Sequence, residues 1–325
     1  MRTHVFGRTH VLRRFVKLLV VSVVVVVCVY AFRTRNGSVK ELPQPLPAEE
    51  YKLLSPETYT YILNQPAACK VRKPFLVFMV PVAPHDYSAR EAIRKTWGTA
   101  SQDTLTLFYM GVSEGGPGRS TQDMLGQESG THADLIQMDF MDTYENLTIK
   151  TMMIMNWLAT FCPDVVYAMK VDADIFVNVF YLVRMLRRSP RRGYITGSVI
   201  SDGKPRRKGD SKWVLSEQMY PEDGFPPYVS GAGYVFSIDL AAEISWASRF
   251  TRMVPLEDVY VGLCLRVLGI RPAYAITWLT FRNLFEIRNL EYDRCTFARL
   301  VLVNGFQSSR LLQVWKDFSL GHQSC

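Results

Sequence analysis

The chain contains no Gly-x-Gly-x-x-Gly fingerprint, no Walker loop and no Cys-x-x-Cys pair. The first two absences disfavour a nicotinamide enzyme and a P-loop phosphotransferase, both of which cradle phosphates on glycine-rich backbone. The third argues against a zinc ribbon, whose ligands come in closely spaced pairs. No internal repeat is found. The body also lacks net charge. Of 38 Lys and Arg, eight fall within residues 1–40, which hold no acid, so 30 bases face 30 acids in the remainder. The formal charge of +8 is therefore a property of the N-terminal tail. A basic body with interleaved aromatics, expected of a nucleic-acid binder, is missing, and no nucleic-acid partner is predicted.

The tail brackets an apolar run, Leu18 to Phe32, with Arg8, Arg13, Arg14 and Lys17 before it and Arg33 and Arg35 after it. A run of about fifteen residues is short of the ~20 that span an average bilayer. β-Branched Val and flanking arginines argue against a buried core helix, and no convincing small-x-small cleavage site follows. The reading that fits is a short uncleaved anchor, its basic side cytoplasmic, in a thin membrane of the early secretory pathway. The expected organisation is a cytoplasmic tail (1–17), a transmembrane signal-anchor (18–32), a Pro-containing stem (33–58) and a lumenal domain (59–325). Two sequons, at Asn36 and Asn146, suit a lumenal location. So do the cysteines. Cys28 lies in the anchor, and five remain for an oxidising lumen, which predicts two disulfides and one leftover thiol. The anticipated pairs are Cys69–Cys162 and Cys264–Cys295.

Within the body, continuous apolar runs of strand length alternate with helical patterns. The spacing predicts strands at Phe75–Val82, Leu105–Met110, Asp134–Met138, Val165–Val171 and Tyr194–Val199. It predicts helices at Ser88–Trp97 (capped by Ser88), Leu147–Phe161 (amphipathic) and Val179–Arg188. Gly115–Gly130 is Gly- and Ser-rich with room for a short helix. Such alternation argues an α/β fold with a largely parallel sheet, whose ligands bind at the carboxyl ends of strands. There the fourth strand runs into Lys170-Val171-Asp172-Ala173-Asp174. Two carboxylates at a strand end can hold a hard divalent cation, which can neutralise a departing diphosphate; a solvated turn is the plain alternative. Three further segments have double readings. Gly203–Lys212 is a basic loop, either solvated surface or a lid. The Gly-Ala-Gly of residues 231–233 lets backbone approach a ligand or strand, or forms a core bulge. Glu257-Asp258 opens an apolar helix, either complementing its dipole or offering a general base.

Five ordered segments, Arg90–Gly98, Asp139–Thr151, Lys170–Asn178, Pro227–Ser237 and Glu257–Leu265, resemble the motifs of the β1,3-galactosyltransferases of glycosyltransferase family 31. The resemblance covers roughly residues 60–320. It implies a GT-A fold with a mostly parallel sheet flanked by helices, a type II Golgi membrane protein, and an inverting, metal-dependent transferase. The transfer would take galactose from UDP-galactose to the 3-hydroxyl of a terminal sugar such as β-GlcNAc, on a glycoprotein or glycolipid. UDP-N-acetylglucosamine as donor, or a non-catalytic carbohydrate-binding or chaperone protein on the same fold, are the alternatives. By position, Asp172 and Asp174 would meet Mn²⁺ and the UDP diphosphate, and Arg90 and Arg94 would contact the nucleotide. Lys170, Lys150 and Trp97 are further donor-site candidates. Asp258 would deprotonate the acceptor while Glu257 shapes the site. Where the family usually carries a metal-binding His, this chain has Asn304, a weaker ligand.

Overall fold

The computed structural model describes residues 17, 19–25, 44–114, 118–274 and 286–325. Two compact units are distinguished, residues 1–43 and 44–325. In the first, residues 19–25 are helical and exposed. Among the described residues no helix is long and apolar enough to cross a membrane. The rest of the 18–32 run, with Cys28 and Asn36, lies outside the described residues.

Among the described residues the second unit has eleven strands: β1 (Tyr61–Leu63), β2 (Leu76–Pro81), β3 (Thr104–Val112), β4 (Leu135–Met141), β5 (Tyr167–Val171), β6 (Ile175–Val177), β7 (Ile195–Ile200), β8 (Tyr228–Ser237), β9 (Ala273–Tyr274), β10 (Glu286–Arg288) and β11 (Leu302–Asn304). Eight form one sheet in the order β1-β4-β3-β2-β5-β8-β7-β9, and β10-β11-β6 form a second. The centre, β4-β3-β2-β5, is parallel. β8 enters antiparallel between β5 and β7.

Helices of eight or more residues cover both faces: α1 (Tyr87–Arg94), α2 (Arg119–His132), α3 (Leu147–Phe161), α4 (Val179–Leu186), α5 (Asp239–Ala247), α6 (Glu257–Leu268) and α7 (Ser308–Gly321). This explains the unbroken apolar strands. In β2, Val77 and Met79 join the core under α3, α5 and α6. Leu76, Phe78 and Val80 join the core on the other face, with residues of α1, α4 and α7. A strand buried on both sides has no reason to alternate.

Several expectations are refined. The Leu147–Phe161 helix has its predicted bounds but is not amphipathic: Thr148 through Met155 are all buried, as a helix enclosed by neighbours requires. The helix after β2 begins at Tyr87, not Ser88. Its cap is Asp86, whose carboxylate accepts from the Ala89 amide at 3.0 Å and from the Ser88 hydroxyl at 3.0 Å; the charged acceptor displaces the hydroxyl from the role. The Gly/Ser-rich segment holds a full helix, α2. Residues 44–58, read as stem, pack on the body. Leu54 is wholly buried, the Leu46 amide donates to the Arg249 carbonyl at 2.7 Å, and Glu50 pairs with Arg252.

The Cys69–Cys162 disulfide forms, tying the Ala68–Arg72 helix to the end of α3. The expected Cys264–Cys295 pair does not. Cys264 lies in the core beneath α6 on one face of the sheet. Cys295 sits on the short Arg294–Phe297 helix, whose Phe297 belongs to the opposite core. The sheet separates them. Cys295 instead bridges Cys325, with Cα atoms 5.1 Å apart. Burial pushes the Cys264 thiol up to about 12, which makes it inert.

Candidate active site

Three elements meet at the carboxyl end of β5: the turn after it, the middle of β8 and the first turn of α6. The amide of Asp172 donates to the Ala232 carbonyl at 3.0 Å, carrying the β5–β8 ladder one residue past the strand. Asp172 is left half-buried at the edge of the sheet, and Asp174 is exposed in the following turn. The same turn is fixed from below. Gly305 and Phe306 donate their amides to the Asp174 carbonyl at 3.2 and 2.8 Å, and β11 pairs Asn304 with Ile175.

Lys170 organises the floor. Its ammonium donates to Asp172 Oδ1 at 2.7 Å, to Glu257 Oε1 at 2.9 Å and to the Gly231 carbonyl. Burial favours its neutral form, but Asp172 and Glu257 outweigh this and its pKa ends up raised. Lys170 is therefore a fixed cation, not a proton donor. Glu257 is buried, and its other oxygen accepts from Thr151 at 3.2 Å and Tyr234 at 3.3 Å. Burial pushes its carboxyl up to about 7 against the pull of Lys170.

Asp258, one residue on, faces the cleft. Its carboxylate accepts from the Val259 amide at 2.8 Å and the Gly231 amide at 3.2 Å. Burial raises its pKa; those two amides oppose the shift. A carboxylate held in place with a raised pKa is a better general base than a free one. Gly231 makes this possible: a Cβ there would lie 2.7 Å from Glu257 Oε1 and 3.5 Å from Asp258. The glycines of residues 231–233 thus admit carboxylates and a neighbouring strand; a Cβ on Gly233 would meet Leu302 at 2.7 Å.

A cleft of about 520 Å³ opens above this floor, lined among others by Asp172, Asp258, Asn304, Tyr144, Trp213 and Lys212. A larger cavity of about 1080 Å³ lies elsewhere, beside α4 and α7, with Asp103 its one acidic side chain among the described residues; the carboxylate cluster of the cleft is not there.

The structure brings together Lys170, Asp172, Asp174, Glu257, Asp258 and Asn304. It places four other candidates apart. Arg90 is buried and forks onto Glu128 at 2.8 and 2.7 Å. Its remaining bonds reach the Ala83 and Pro84 carbonyls. Arg94 binds Glu128 at 2.6 Å and both oxygens of Asp134 at 2.8 and 2.9 Å. Both guanidinium groups are engaged with protein carboxylates, not aimed at the cleft. Trp97 is a core residue, edge-on to Phe78, with its indole N–H on the Ile175 carbonyl at 2.9 Å; it supports the Asp172–Asp174 turn from behind. Lys150 is buried between Asp142 at 2.8 Å and the Val82 carbonyl at 3.1 Å. Burial lowers its pKa, with Asp142 opposing.

Sequence reasoning gave no role to Glu128, Asp142, Thr151 or Tyr234. Asp142, Thr151 and Tyr234 lie inside recognised motifs, so that signal was available; Glu128 sits in a segment without one. Asn146 is half-buried at the start of α3, its amide nitrogen donating to the Met141 carbonyl at 2.9 Å.

Among the described residues no group of three His, Cys, Asp or Glu is placed to hold a metal. The available donors are two carboxylates and the Asn304 amide. Although its side chain reaches solvent, Asp174 has a raised pKa, first from partial desolvation by the protein around the turn and then from the Asp172 charge beside it. Adjacent like charges with oxygen donors fit a hard divalent cation that fills its coordination with ligand oxygens and water.

Residues 88–275 match the family model described as Galactosyltransferase. Beta-1,3-galactosyltransferase 1 of Homo sapiens is 40% identical over 274 residues, 82% of this chain and 80% of that protein. Beta-1,3-galactosyltransferase 2 of Homo sapiens is 38% identical over 275 residues, 82% of this chain and 64% of that protein. Among solved structures, the galactosyltransferase LgtC in complex with donor and acceptor sugar analogs aligns with a TM-score of 0.36 at 9% identity, over 74% of this chain and 95% of that one. At that score the structural likeness carries no argument. The sequence matches do: the chain belongs to the galactosyltransferase family, with the β1,3-galactosyltransferases, and is a galactosyltransferase enzyme.

Proposed function

We propose that the chain is an inverting UDP-galactose β1,3-galactosyltransferase of GT-A type. It would transfer galactose to the 3-hydroxyl of a terminal β-GlcNAc on a glycoprotein or glycolipid. The observation that carries the reading is Asp258: a positioned carboxylate with a raised pKa in the same cleft as Asp172. Glu257 and Lys170 link the two. Lys170 neutralises Glu257, so the floor presents Asp258 as its free base.

In the reaction, Asp258 takes the proton from the acceptor 3-hydroxyl as that oxygen attacks the anomeric carbon. The bond from that carbon to the UDP oxygen breaks on the opposite face, and the electron pair leaves with UDP. One displacement turns an α-linked donor into a β-linked product, with no covalent sugar–enzyme intermediate. Asp172, Asp174 and Asn304 would hold Mn²⁺, which supplies charge compensation to the diphosphate. Lys170 keeps Asp172 oriented, and Trp97 and Asn304 hold the turn that carries Asp174. The basic N-terminus, the 18–32 run and the sequons support a type II anchor with the body in the Golgi lumen.

The test is UDP release from UDP-galactose with Mn²⁺ and a β-GlcNAc acceptor, followed by linkage analysis of the product. A β1,3-galactoside is expected. No UDP release with any acceptor, or an α-linked product, overturns the reading.

A further inference from the structure

The basic loop between β7 and β8 splits its cations into two kinds. Arg207 is consumed by the loop itself. It donates to the carbonyls of Leu215 at 3.0 Å, Tyr220 at 2.7 Å and Glu222 at 2.7 Å, and the Leu215 amide returns to the Arg206 carbonyl at 2.8 Å. The loop is thereby pinned as a built element beside the cleft. Lys204, Arg206 and Lys212 are exposed and all three line the cleft. Among the described residues none of them forms an ion pair. Two of them lie on aromatic faces instead: Arg206 is 5.0 Å from the Trp213 ring centroid, and Lys212 is 4.4 Å from that of Tyr144.

The other cations lining the cleft are spent. Lys170 has three acceptors, and Arg288 pairs with Glu286 at 3.3 Å. A neutral sugar needs no row of unpaired cations. A diphosphate does: a divalent cation offset by Asp172 and Asp174 leaves the phosphate charges uncompensated. We infer that Lys212, with Arg206 and Lys204, is an anion-binding wall that takes the diphosphate of the donor nucleotide in the cleft they share with Asp172. This rests on the nucleotide-donor reading above. With the nucleotide bound, the Lys212 ammonium leaves the Tyr144 face for a phosphate oxygen, a stronger partner than a ring. The wall then stabilises the charge that builds on UDP as it departs.

UDP and UMP differ by the phosphate in question, so the test compares their affinities for the full chain by calorimetry with Mn²⁺, beside UDP-galactose kinetics. Lys212 is exposed, so Lys212→Gln should fold normally. It should weaken UDP about tenfold, the worth of one charge-assisted hydrogen bond, while leaving UMP nearly unchanged. Lys212→Arg should restore most of the loss, and added salt should narrow the UDP advantage of the wild type. Equal loss for UDP and UMP, or no loss, overturns the assignment. So does a rise in acceptor KM alone, which would move the cations to an acidic acceptor glycan. A wild type that binds no UDP overturns the donor reading itself.

Discussion

Two charge clusters sit in this body, and they are built on opposite plans. Around Arg90 and Arg94, two guanidinium groups meet Glu128 and Asp134 in short, forked bonds, and positive and negative charges balance. Around Lys170, one buried ammonium answers Asp172 and Glu257, while among the described residues Asp258 and Asp174 form no ion pair of their own. The first cluster closes on itself and fastens α1 to α2 and the start of β4. The second is left with surplus negative charge facing a cleft. Charged residues in a motif do not announce which plan they serve; completeness of pairing does.

Breaking the open cluster should have the largest effect. Asp172→Ala removes the proposed cation ligand and frees Lys170, and turnover measured as UDP release should fall on the order of 10³-fold. Retained activity would put the metal elsewhere. Next is Asp258→Asn, which keeps shape and removes basicity. The loss in kcat should be on the order of 10²-fold, with UDP affinity kept. The wild-type rate should fall with falling pH as Asp258 gains a proton. Because its pKa is raised, that limb should lie above the ordinary Asp range near ~3.9. A limb at the ordinary value would mean the carboxylate is more hydrated than its surroundings suggest.

The closed cluster should respond in stability, not in ligand binding. Arg90→Met should cost about 3 kcal/mol in denaturant unfolding and leave UDP affinity within about twofold, since the guanidinium is engaged with Glu128 rather than the cleft. If UDP affinity collapsed while stability held, the two clusters would not differ as argued, and Arg90 would be a nucleotide contact after all. The smallest effect belongs to Asn304→His, which should tighten Mn²⁺ binding several-fold, on the order of 1 kcal/mol, because imidazole is a better donor than an amide. Unchanged Mn²⁺ affinity would mean residue 304 does not face the cation.

What the sequence determined by itself was local or pairwise. The bounds of Leu147–Phe161 were legible because an uninterrupted helical segment ends at both sides in polar turns. The strand that delivers Asp172 was legible because the apolar run of residues 165–169 leads through Lys170-Val171 into Asp172, and Glu257 and Asp258 because they open an apolar helix. Five cysteines implied a leftover thiol. Tertiary structure alone decided which thiol it was, since the sheet lies between Cys264 and Cys295 and the C-terminal helix brings Cys325 to the latter. It also decided that Arg90 and Arg94 face Glu128, which stands 38 and 34 residues along the chain on a helix with no motif. It turned the basic loop from a polar surface segment into a wall of the cleft, by folding Arg207 inward and leaving Lys212 out. The physical reason is common to all three. A residue's chemistry is written in its side chain, but the charge, thiol or ring that satisfies it is chosen by how distant elements pack.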